Sequence, residues 1–130
     1  MEYKRLLLAF TVPGTPVPKG RPRIGKAGHT YTPRETTEHE GLTALMFRSA
    51  AAKRRLPFPL ARGINVRLEL TAYLPDDRTR DWDNIGKLVS DALNKIAYAD
   101  DKQVRQAEVI LRFDKENPRT EVALYLLEEQ

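Results

Sequence analysis

The chain contains no cysteine, one tryptophan, two histidines and no long apolar run. Each shortage removes a class of protein. Without cysteine there is no disulfide framework and no thiolate zinc site, which agrees with a reducing compartment and a cytoplasmic location. His29 and His39 fall at no paired ligand spacing, so neither is expected to act in catalysis or to hold a metal. The apolar run from Leu6 to Phe10 is far too short to cross a bilayer, and Pro13, Gly14 and Pro16 interrupt it where a signal peptide would continue. No membrane partner is expected. At 130 residues the chain has the length of one compact domain, residues 1–130.

What the chain does have is charge, unevenly placed. Residues 1–62 carry 12 Lys or Arg against 4 Asp or Glu, a net +8, while residues 63–130 carry 10 against 14, a net −4. A basic surface beside gathered carboxylates suits a metal-dependent enzyme acting on a polyanion, because cations hold phosphates and carboxylates hold the metal. A plain solvated surface is the competing reading.

Periodicity and punctuation set out the elements. Leu6 to Val12 reads as a strand ended by Pro13 and Gly14, and residues 13–33 read as a Pro/Gly-rich loop carrying Lys19, Arg21, Arg23 and Lys26. Thr36 or Thr37 can cap a helix in which Leu42, Leu45, Met46, Ser49 and Ala50 recur at helical spacing, ending before Pro57. Ile64 to Leu74 alternates strictly and predicts a half-buried strand. Ile85, Leu88, Val89, Ala92, Leu93 and Ile96 form one apolar stripe of a second helix, with Asp83 or Asn84 as its N-cap. Val104 to Phe113 and Glu121 to Leu127 predict two more strands, joined as a hairpin through Asn117 and Pro118. The expected fold is α+β: a single domain with a mixed β-sheet of four or five strands and two main helices on one face.

The second helix carries the chemistry. Asp81, Asp83, Asp91, Asp100 and Asp101 crowd into a short stretch, where their mutual repulsion calls for a compensating cation. Asn84, Lys87 and Asp91 fall within roughly 60° of one another around the helix and project together. Each piece alone has a plainer reading. Asp and Asn favour helix starts and turns, Lys87 and Asp91 could be a surface ion pair, and Trp82 could be a core or lid residue. In combination, carboxylates gathered without arginine partners point to metal binding.

The spacing D-x-D-N-x-x-K-x-x-x-D-A-L, followed by D-D-x-Q-V, resembles the RusA family of Holliday-junction resolvases, phage-type members in particular. Here it is Asp81, Asp83, Asn84, Lys87, Asp91-Ala92-Leu93, Asp100-Asp101 and Gln103-Val104, with a similar front segment from Pro16 to Arg23 and at Tyr31-Thr32-Pro33. The resemblance implies a homodimeric endodeoxyribonuclease that cuts four-way DNA junctions with Mg²⁺, Mn²⁺ being possible. It implies Asp81, Asp83 and Asp101 as metal ligands and Lys87 as the catalytic lysine. Asp100 is implied as a further or supporting ligand, and Asn84 and Asp91 as groups that orient the ligands and Lys87. Lys19, Arg21, Arg23 and Lys26 are expected to grip phosphates. Two other functions are weighed against it: a nuclease preferring flaps, nicks or forks, and a non-catalytic DNA-binding module.

Overall fold

The computed structural model describes residues 2–78 and 80–129, with Glu2 and Glu129 by backbone alone. Its elements are β1 (Glu2–Pro13), a small β2 (Arg23–Ile24) and β3 (Thr30–Tyr31), α1 (Arg34–Arg54), β4 (Val66–Leu74), α2 (Trp82–Leu93), β5 (Val104–Phe113) and β6 (Arg119–Glu129). The main sheet has the order β1-β6-β4-β5; β4 and β5 run parallel and the other pairs antiparallel. This is the expected α+β domain with a four-stranded mixed sheet and two helices.

The alternation in β4 is realised residue by residue. Val66, Leu68, Leu70, Ala72 and Leu74 are buried, and the residues between them are half-buried. Register carries that buried face across the sheet, from Leu68 and Leu70 to Leu124 and Val122 of β6 and on to Leu8 and Phe10 of β1. α2 covers it with Ile85, Leu88, Val89 and Leu93, all buried, as the apolar stripe predicts. The opposite face is polar, with an ion-pair chain from Lys4 to Glu69 to Arg67 to Glu108.

Four expectations are corrected. β5 and β6 do not form a hairpin, because β6 inserts between β1 and β4 while β5 pairs with β4 on the outside. Central placement shelters Val122 and Leu124 from both sides, and alternation specifies a strand's buried face without specifying its neighbour. The buried line of α1 is Thr36, His39, Thr43 and Phe47; Leu42, Met46 and Ala50 pack beside it as expected, and Leu45 is left exposed. Thr43 can lie inside because its hydroxyl donates to the His39 carbonyl at 2.8 Å. α2 begins two or three residues earlier than expected, with Asp81 as N-cap, and ends at Leu93, so Ile96 packs on the core from the following turn. The 13–33 segment also holds more structure than a loop, since β2 and β3 pair around a 3-10 turn at Lys26–Gly28. No described helix is long and apolar enough to cross a membrane.

Candidate active site and nucleic-acid interface

The site is built on the β4–α2–β5 crossover. β4 delivers the chain to the N-terminus of α2, where Asp81 is the N-cap and Asp83 lies in the first turn, both at the positive end of the helix dipole. Asn84 ties the two together: its side-chain amide donates to Asp81 Oδ2 at 3.1 Å, and its backbone N–H donates to Asp83 Oδ1 at 3.0 Å. One helical turn on, Lys87 is exposed and forms no ion pair with a described carboxylate, so its ammonium is available. The approach to Asp81 is held by an arginine pair that sequence reasoning missed. Arg80 donates to Asp76 at 2.7 Å, and with Arg78 it holds that carboxyl far below the usual carboxylate range. The Asp76–Arg80 spacing of i, i+4 was the available signal.

The basic segment is anchored against this end of α2. The Lys19 N–H donates to the Asn84 carbonyl at 2.8 Å, and the Gly20 N–H to Thr36 Oγ1 at 3.1 Å. Position 20 requires glycine for close approach, since a Cβ there would lie 2.8 Å from Thr36 Oγ1. The Lys19 ammonium is itself engaged, 3.2 Å from Glu40 of α1 and 3.2 Å from Asp91 of α2. Burial pulls its pKa down, but the hydrogen bonds and charges of Glu40 and Asp91 outweigh that and raise it. Asp91 is therefore paired with Lys19 and not with Lys87. Beyond this anchor, Arg21 is exposed just before the β2–β3 hairpin, and Arg23 and Lys26 are exposed on it.

Asp100 and Asp101 lie elsewhere. Ile85 packs with Ala72, Leu74 and Leu111, while β5 begins where Val104 pairs with Val66, so α2 starts at one end of the sheet and Asp101 precedes the other. The 12-residue α2, about 18 Å long, runs between these ends. Asp101 lies instead by Tyr98, whose hydroxyl donates to the Ser90 carbonyl at 2.8 Å; burial, with the charges of Asp101 and Asp91, pushes the Tyr98 pKa up to about 12. Asp100 caps a 3-10 turn, accepting from the Lys102 N–H at 2.9 Å, and that bond leads the interactions that lower its pKa. Gln103 is the structural member of this motif. Buried, it accepts from the Asp100 N–H and donates to the carbonyls of Leu60, Ala61 and Ile64.

Among the described residues no three carboxylate or imidazole groups gather closely enough to share one ion. Asp81 and Asp83, bridged by Asn84, fit the one or two carboxylates that magnesium takes from a protein. Asp101 of the same chain does not join that donor set.

Comparison with known proteins agrees with this architecture. The chain is 29% identical over 136 residues to YqaN, an uncharacterized protein of Bacillus subtilis (strain 168), covering 90% of this chain and 94% of that one. A family profile described as endodeoxyribonuclease RusA matches residues 13–125, which includes the basic segment, both helices and the paired aspartates. The chain belongs to the RusA endodeoxyribonuclease family.

Proposed function

We propose that the protein is a divalent-metal-dependent endodeoxyribonuclease that resolves four-way DNA junctions as a homodimer. The observation that carries this reading is the Asp81–Asn84–Asp83 network, with Lys87, which pairs with no described carboxylate, one turn away and a basic arm bonded to Asn84 itself. A divalent cation bound at the two aspartates would supply charge stabilisation and an activated water. The chain's own groups do the rest. Asn84 fixes the orientation of both carboxylates, Lys87 neutralises charge that builds on the scissile phosphate, and Arg21, Arg23 and Lys26 hold flanking phosphates. Lys19 acts as the anchor of the arm through its ion pairs with Glu40 and Asp91.

The separation of Asp101 from Asp83 gives dimerisation a chemical purpose. In a two-fold dimer each site takes Asp81 and Asp83 from one chain and Asp101 from the other, so that cutting is paired and a lone subunit is inert.

The direct test is cleavage of an immobile four-way junction, beside a linear duplex, in Mg²⁺. Wild type is expected to nick the junction symmetrically, and Asp83→Asn and Lys87→Ala to lose at least about a hundredfold in rate while still binding it. Cutting of flaps or forks in preference to four-way junctions would move the reading to another branched substrate. Binding without cutting in either Mg²⁺ or Mn²⁺ would leave a DNA-binding module.

A further inference from the structure

Trp82, the only tryptophan in the chain, stands between the two paired aspartates and is 60% exposed. It contributes nothing to the core. At the far end of β5, Phe113 is 65% exposed. The fold brings these two rings to the same corner. One turn below Trp82 on the same face of α2, a Cβ at Gly86 would lie 3.0 Å from Val109 of β5, so that face leans on β5. Phe113 lies four residues beyond Val109, hence on the same side of the sheet, in register with Leu74 at the end where α2 begins. Neither ring is paired with another aromatic among the described residues.

We infer that Trp82, assisted by Phe113, is a stacking platform for an unpaired or unstacked nucleobase next to the scissile phosphate, and so a determinant of selectivity for branched over continuous duplex DNA. The inference rests on the proposed nuclease reading and adds to it how the branch is recognised. A free cation stands beside the platform: Lys87 is exposed on the next turn of α2 and pairs with no described carboxylate. That combination of flat π faces and phosphate-binding groups is how proteins hold single-stranded nucleic acid without reading its sequence. A continuous duplex keeps its base faces stacked and offers the indole nothing, whereas a branch point exposes them. Two rings set among charged side chains are too small an apolar area to hold a subunit interface by themselves, so beside the partner's Asp101 in the proposed shared site their open faces are left for a base.

Because Trp82 is alone, intrinsic tryptophan emission reports on this position and no other. Wild-type protein is titrated with a four-way junction, a linear duplex of equal length and oligothymidylate, in Ca²⁺, with binding followed separately by gel shift. Emission is expected to be strongly quenched by the junction and by oligothymidylate, and little by the duplex. Trp82→Ala should weaken junction binding about tenfold and leave duplex binding unchanged, Trp82→Phe should recover most of the loss, and Phe113→Ala should weaken junction binding more mildly. Unchanged emission at saturating junction, or equal junction affinity in Trp82→Ala, overturns the inference. So does a Trp82→Ala protein that sediments as a smaller species, because the ring then serves subunit contact. Should wild type neither cut nor bind junctions, the nuclease reading fails by itself. Quenching by oligothymidylate would still uphold the platform, and its absence would remove it.

Discussion

Lys19 joins three parts of the molecule through one ammonium group. It offsets two carboxylates, Glu40 and Asp91, on different helices, and the second of these lies in the last turn of α2, where the helix dipole disfavours negative charge. Lys19→Met should cost on the order of 1 kcal/mol in chemical denaturation, since the pair is partly exposed and screened, and should weaken DNA binding by loosening the arm. Its raised pKa fixes the sign of the pH effect. The contribution is complete below the unfolded value of 10.5 and is lost as pH climbs through the higher folded value. Tyr98 acts in an adjacent window. With an unfolded pKa of 10.0 and a folded value of about 12, its protonated hydroxyl stabilises the fold fully below pH 10, and that contribution disappears between these limits. In Tyr98→Phe the loss of the Ser90 hydrogen bond should cost about 1 kcal/mol at neutral pH and flatten the alkaline limb of a stability–pH curve. At this scale the sequence was informative wherever neighbours lie within one or two turns, as for Asp81, Asp83, Asn84 and Lys87. The Lys19 partnership was not legible, because it depends on how a 21-residue helix packs on a 12-residue one.

Among the elements, the short 3-10 turn before β5 depends most on a single side chain. Gln103 closes the capping box with Asp100 and satisfies three carbonyls of the 60–64 segment from a buried position. Gln103→Leu leaves those acceptors without a donor, so a loss of about 2–3 kcal/mol is expected, read as a fall of several degrees in Tm. β4 was the most legible element because strict alternation admits one reading of its faces. α1 was the least, since its buried line runs through threonine and histidine, which carry little apolar signal. For β5 and β6 the faces were readable and the pairing was not: two adjacent strands with a proline-containing connection suggest a hairpin, and only competition for the flanks of β4 excludes it. The same crossover hid the distance to Asp101. Its proximity to Asp91 in sequence says nothing about which end of the sheet β5 starts from.

For the molecule as a whole, the proposed shared-site dimer makes a sharp prediction about mixtures. Asp83→Asn and Asp101→Asn are each expected to be inactive as homodimers. Mixed and allowed to exchange subunits, they should regain one intact site per heterodimer and therefore nick junctions on one strand without paired resolution. If activity stays absent after exchange has been verified, Asp101 acts within its own chain and not across the dimer.

The position of β6 also bears on how the protein comes into being. The strand that fills the middle of the sheet is encoded after all the others, so a chain emerging from the ribosome cannot join β1 to β4 until residues 119–129 have been translated. Until then the two halves of the sheet have no shared hydrogen bonds, and the apolar faces of β1 and β4 lack the strand that links them. The sheet is thus expected to be completed only when β6 docks between β1 and β4. A truncation that removes β6 should yield an aggregating product rather than a smaller working nuclease.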